Sequence, residues 1–154
     1  MKTIKFLASL ILLAGIASSP FSTARAQTVP HREHCTGTLT AIVPGTMFFT
    51  GIGVATHFGQ YSIEGRHDFD ALGNILNGEF TSTAADGSTL SGIYSGTYTP
   101  LPDGTFSFDV HALWLEGTGR LEGVTGEGDV IATLAGLAPG SAIEYFTDGF
   151  LVFP

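Results

Sequence analysis

Thr105-Phe-Ser-Phe-Asp-Val-His-Ala-Leu-Trp-Leu115 (TFSFDVHALWL) alternates with a period of two. Phe106, Phe108, Val110, Ala112 and Trp114 fall on one face, with Thr105, Ser107, Asp109 and His111 on the other. Successive side chains of a strand point to opposite sides of its sheet, so this stretch predicts a strand with one buried and one wet face. The pattern recurs upstream. Tyr61, Ile63, Gly65, His67 and Phe69 alternate with Gln60, Ser62, Glu64, Arg66 and Asp68, and Leu90, Tyr94 and Tyr98 alternate with Ser91, Ser95 and Thr97.

Turn signals punctuate these runs: Asn77-Gly78, Asp86-Gly87, Asp103-Gly104, Asp148-Gly149, Pro44-Gly45 and Pro139-Gly140. Such pairs favour hairpins because glycine, asparagine and aspartate tolerate positive φ. Strands are predicted near 35–43, 47–58, 60–69, 75–84, 88–99, 104–115, 125–134 and 142–152. No amphipathic helix is read between them. About eight strands joined by short loops predict an all-β fold, a single closed antiparallel β-barrel in meander order, which leaves no open sheet edge. Gly92 and Gly96 share a face with Tyr94 and Tyr98, a small–large alternation suited to a tapering interior. Ordinary bulges are the other account of these glycines.

The N-terminus reads differently. Lys2 and Lys5 precede an apolar run from Phe6 to Ala17, and Ala24-Arg25-Ala26 supplies small residues at cleavage positions. This is the pattern of a signal peptide over residues 1–26, cut after Ala26, which leaves a domain over 27–154 that is secreted or periplasmic. The apolar run is too short for a permanent membrane helix. The chain carries 6 Lys+Arg against 14 Asp+Glu, and without the leader only Arg32, Arg66 and Arg120 remain as cations. That acidity disfavours nucleic acid, whose affinity rests on neutralising phosphates. With 44% hydrophobic residues the chain has enough apolar surface to fold, so a disordered acidic tail is excluded. One cysteine, Cys35, rules out an intramolecular disulfide framework.

Three stretches resemble a known barrel type. GTGRLEGVTG at 117–126 looks like the late-barrel signature of the allene oxide cyclase and dirigent barrels. GVATHFGQYSIEG at 53–65 and GEFTSTAADGSTLSGIYSGTYTP at 78–100 are similar in order to small exported bacterial proteins of that type. The resemblance covers roughly positions 35–135 and rests on Gly, Thr and turn residues. It implies a barrel that holds apolar small molecules and a homo-oligomer, trimer or dimer. Some such barrels catalyse cyclisation and others guide radical coupling, but no family catalytic residue falls on a matching position here.

Each candidate chemical group has a plainer reading beside it. The glycines of 117–128 lack a P-loop lysine and sit among Glu116, Glu122, Glu127 and Asp129, so a tight turn is expected rather than a phosphate cradle. His31, His34 and Cys35 offer metal-type ligands, but their spacing matches no established site, and a solvated leader into the first strand is expected. Cys35 shares parity with Leu39, Ala41 and Val43 and is expected to be buried. Asp68 and Asp70 lack the rest of a calcium loop and read as a strand end rich in surface acids. Asp109 and His111 lie on the wet face. His57 is ambiguous. No metal or cofactor is expected.

His67 is the informative histidine, because it falls on the apolar parity of its strand. An imidazole inside a barrel can act as an acid or base, or it can be a core histidine satisfied by one neighbour. Tyr61, Tyr94, Tyr98, Phe106, Phe108 and Trp114 share the inward set, either as pocket lining or as plain core. The leading expectation is a barrel binding a small apolar molecule among these seven residues. The alternatives are an isomerase or cyclase using His67 and a tyrosine, an outer-membrane barrel, and a structural oligomer that docks through Phe49, Ile52 and Ile93.

Overall fold

The computed structural model describes residues 25–154, so all but the last two residues of the expected leader lie outside the described residues. Eight strands run in chain order: β1 (Gln27–Val43), β2 (Thr46–Ala55), β3 (Gly59–Phe69), β4 (Asn74–Ala84), β5 (Thr89–Pro100), β6 (Phe106–Gly117), β7 (Thr125–Leu134) and β8 (Ala142–Phe153). Each pairs antiparallel with the next, and β8 pairs with β1, which closes the barrel in meander order. Closure leaves every strand with a partner on both sides.

The decisive stretch behaves as its alternation requires. In β6, Phe108, Val110, Ala112 and Trp114 are buried, whereas Asp109, His111 and Leu115 are exposed. Trp114 fits because its cross-strand partners are small: Gly92 on β5 and Gly126 on β7. A Cβ placed on Gly128 would lie 3.0 Å from the Trp114 ring edge, so that glycine too makes room for the indole. The small–large alternation thus extends beyond β5 to the strands on the far side of Trp114.

One end of the barrel is sealed by its own loops. The turns after β2, β4 and β6 meet there, and Phe58, Leu121 and Val124 are buried beneath them. Residues 119–121 form a single 3-10 turn whose Arg120 ties the three turns together. Its guanidinium donates to the Asp86 carboxylate at 2.7 Å and to the carbonyls of His57 and Phe58 at 2.7 and 2.5 Å. The turn expected over 117–128 is confined to 118–124, because Gly126 and Gly128 pair within β7, and it doubles as a plug. His57 itself is an exposed turn residue at φ 62°. At the opposite end the loops carry Leu72, Leu101 and Leu137 with their side chains exposed.

Several expectations need correction. β1 starts at Gln27, not near 35, so HREHC lies inside a strand and is not a solvated leader. Its inward positions are His31 and Glu33, polar residues that hide the strand from a reading based on hydrophobic alternation. Asn77-Gly78 is a bulge within β4 rather than a hairpin turn, with pairing to β5 shifted between Ile75 and Gly78. Asp148-Gly149 lies inside β8, where Gly149 faces Gly128 of β7. Phe49 points inward, packed against the core, whereas Ile52 and Ile93 are exposed. The expected docking trio is thus split between two faces, because Phe49 and Ile52 are an odd number of residues apart.

Candidate functional site

The barrel interior contains two apolar clusters. One, toward the sealed end, includes Phe58, Ile63, Leu90, Trp114 and Leu151; the other, toward the opposite end, includes Leu39, Met47, Ile75, Phe108 and Leu134. Between them lies a cavity of about 100 Å³. Residues of both clusters form most of its wall, and the polar residues Glu33, His67, Tyr94, Thr133, Tyr145 and Thr147 complete the lining.

His67 reaches this wall through a local irregularity. The β3–β4 register shifts between Arg66 and Asp68, so His67 sits at a bulge while still facing Met47 on β2. Bulges redirect a side chain and strengthen local twist. The outward side of the bulge is pinned by Asp68, whose carboxylate accepts from Thr46 Oγ1 at 2.7 Å and from Asn77 Nδ2 at 3.0 Å. Those two bonds hold the Asp68 carboxyl below the usual carboxylate range. Asn77 itself has φ 50°, and the following Gly78 lies opposite Tyr94. A Cβ on Gly78 would sit 2.7 Å from Tyr94 Cγ, so only glycine lets the tyrosine ring lie across β4 toward His67.

His67 is 6% exposed, and its Nδ1 is 2.8 Å from Tyr94 Oη. Its other nitrogen, Nε2, is buried without a hydrogen-bond partner. Burial pushes the imidazole down to about 4, against a smaller upward pull from Asp68, so the ring is neutral near pH 7. Burial likewise pushes the Tyr94 hydroxyl up.

A second polar group meets the cavity from β1 and β8. Glu33 Oε1 is 2.9 Å from His31 Nε2, and Thr147 Oγ1 donates to Glu33 Oε2 at 3.1 Å. His31 is fully buried, its Nδ1 donates to the Thr56 carbonyl at 3.2 Å, and its ring meets Trp114 edge-on. Beside this group the hydroxyls of Tyr61 and Tyr145 are 2.9 Å apart, next to the Cys35 thiol. Burial pushes all three of these groups up, so each keeps its proton near neutral pH.

The seven residues singled out in the sequence divide. His67, Tyr94, Phe108 and Trp114 line the cavity. Tyr61 does not; it lies in the layer nearer the sealed end, bonded to Tyr145. Tyr98 and Phe106 do not either. They pack together toward the opposite end, where Tyr98 donates to the Asp70 carbonyl at 2.8 Å. Glu33, Tyr145 and Thr147 were missed as site residues, and His31 was weighed only as a metal-type ligand. The available signal was an alternation of Val29, His31, Glu33 and Cys35 in phase with Leu39.

Strand geometry also separates the three metal-type side chains of HREHC. His34 points outward, stacked on Phe146 at 4.5 Å and paired with Glu144 at 2.9 Å, while His31 and Cys35 point inward. Among the described residues no group of three or more His, Cys, Asp or Glu is placed to hold a metal ion. His111 pairs with Asp129 at 2.8 Å on the exposed face, and no helix among the described residues is long and apolar enough to cross a membrane. Asp70 caps its own loop, accepting from the Leu72 and Asn74 amides at 2.9 Å. No protein-family model, curated protein or solved structure matches this chain.

Proposed function

We propose that the chain is an exported binding protein that takes a small apolar molecule into its barrel, as the resemblance to the allene oxide cyclase and dirigent barrels also suggests. The observation that carries this reading is the cavity of about 100 Å³ lined mainly by apolar side chains of both core clusters. Apolar cavities of this kind stay dry and accept small hydrocarbons. The polarity of the two faces favours a barrel outside the bilayer. The interior is largely apolar, and the outer face carries Arg32, Glu64, Asp109 and His111 among exposed apolar residues such as Ile52, Ile131 and Phe146, whereas a lipid-embedded barrel keeps charges off its outer band.

Ligand that binds only the folded state raises stability by about 2.7 kcal/mol at a hundredfold excess over Kd. Thermal unfolding with benzene or cyclopentane present should therefore show a saturable rise in Tm. Ala112→Leu, which fills the cavity, should abolish that rise. An unchanged Tm in the unsubstituted protein up to the solubility of both hydrocarbons rejects the reading.

A second reading, an isomerase or cyclase, is favoured by one observation, the 2.8 Å contact of His67 Nδ1 with Tyr94. Both groups stand on the cavity wall with ordinary acid–base chemistry available. Turnover of a substrate that survives His67→Ala undiminished would reject it.

A further inference from the structure

His67 Nε2 is the one buried side-chain polar atom among the described residues left without a partner. Native interiors seldom tolerate such atoms, and each one calls for an explanation. The bonding inventory of the pair fixes what the atom offers. A neutral imidazole has one N–H and one lone pair. If Tyr94 donates its hydroxyl hydrogen to Nδ1, the hydrogen of the ring lies on Nε2, and only that N–H is unmatched. If Nδ1 donates instead, both the tyrosine hydrogen and the Nε2 lone pair are stranded. The first arrangement leaves fewer unmet groups, so Nε2 carries the ring hydrogen, covered within the wall that His67 contributes to the cavity, and a small turn of the ring would bring it to a ligand there.

We propose that the interior ligand is a small neutral molecule bearing one oxygen acceptor, a ketone, aldehyde, lactone or cyclic ether, that accepts the His67 Nε2 hydrogen. This rests on the binding reading above and narrows it. The size limit follows from the cavity, since about 100 Å³ is less than the roughly 150 Å³ that accommodates benzene, so the ligand has about six non-hydrogen atoms or fewer. Charge is excluded by the surroundings. Glu33 already shares His31 and Thr147, His67 is neutral, and a charged ligand would be buried with nothing to pair it. A lone water is a poor substitute, because an ordered water needs two or more polar partners and the surface of the cavity is almost wholly apolar.

The test pairs cyclopentanone with methylenecyclopentane, which has the same shape and a CH2 in place of the oxygen. Affinities of both are measured by calorimetry for the unsubstituted protein and for His67→Leu. The ratio of ketone to hydrocarbon affinity should fall about tenfold or more in His67→Leu, while the hydrocarbon still binds. A ratio that does not change overturns the assignment to His67 and leaves the binding reading standing. Binding of neither molecule by the unsubstituted protein removes the binding reading, and this proposal with it. Should His67→Leu fail to fold, histidine 15N spectra of the unsubstituted protein decide. The proton-bearing Nε2 signal of His67 should move with cyclopentanone and not with methylenecyclopentane; equal response to both overturns the proposal.

Discussion

His31 and His67 both project from strands into the same apolar interior, yet their surroundings differ in kind. His31 has a partner at each nitrogen, the Thr56 carbonyl and the Glu33 carboxyl group, and Glu33 is in turn bonded by Thr147. His67, a residue of the cavity wall, has one partner, Tyr94, and one nitrogen with none. A saturated polar group inside a barrel specifies and rigidifies the packing around it. An unsaturated one carries a desolvation cost that something else must relieve. The first therefore belongs to the architecture and the second to the site.

This contrast can be broken by substitution. His31→Leu should be the most damaging change, because it leaves the Glu33 carboxylate buried with only Thr147. Removing one partner of a buried ionisable pair costs about 3–5 kcal/mol, to be read from the urea midpoint. A loss below about 1 kcal/mol would show that His31 is no more structural than His67.

Acid should act through the other histidine. Folding holds His67 at about 4, against 6.5 for a free imidazole, so the unfolded chain takes up the proton first. Its contribution is fully present above pH 6.5 and is lost as the pH falls toward 4, by about 3 kcal/mol. The titratable groups around it are Tyr94, Asp68 and, across the cavity, Glu33, and other carboxylates titrate in the same range. The measurement is therefore the stability difference between the unsubstituted protein and His67→Leu/Tyr94→Phe at pH 7 and pH 4. A difference that stays constant between those values contradicts the buried, neutral state of His67.

The smallest effect has the opposite sign to the first. Removing both members of the His67–Tyr94 pair takes away the bare nitrogen without stranding a partner, so His67→Leu/Tyr94→Phe should be neutral at pH 7 or stabilising by about 1–2 kcal/mol. Destabilisation comparable to that of His31→Leu would erase the distinction between the two histidines.

Much of this interior was readable along the chain. Parity alone placed His67, Tyr94, Phe108 and Trp114 on the inner face, and all four line the cavity. Parity gives a side but not a height along the barrel axis. Tyr61, Tyr98 and Phe106 have the right side and lie above or below the cavity, in layers set by strand stagger. Glu33 and His31 escaped for another reason. Polar residues on alternate positions read as a wet face, and only the presence of Thr147 and Thr56 shows that this face is dry. Bulges escaped as well, since Asn77-Gly78 carries the same residue signal in a bulge as in a turn.

The meander, the inward set of aromatics and the strands apart from the first half of β1 were legible in the amino-acid order. These follow from period-two alternation and from turn residues, which act over a few neighbouring positions. Which buried polar atoms find partners is set only when distant strands come together. Thr147 reaches Glu33 across 114 positions and Tyr145 reaches Tyr61 across 84, separations at which local pattern carries no information about contact. The bare nitrogen of His67 is the residue of that matching, visible once every other buried group has been assigned its partner.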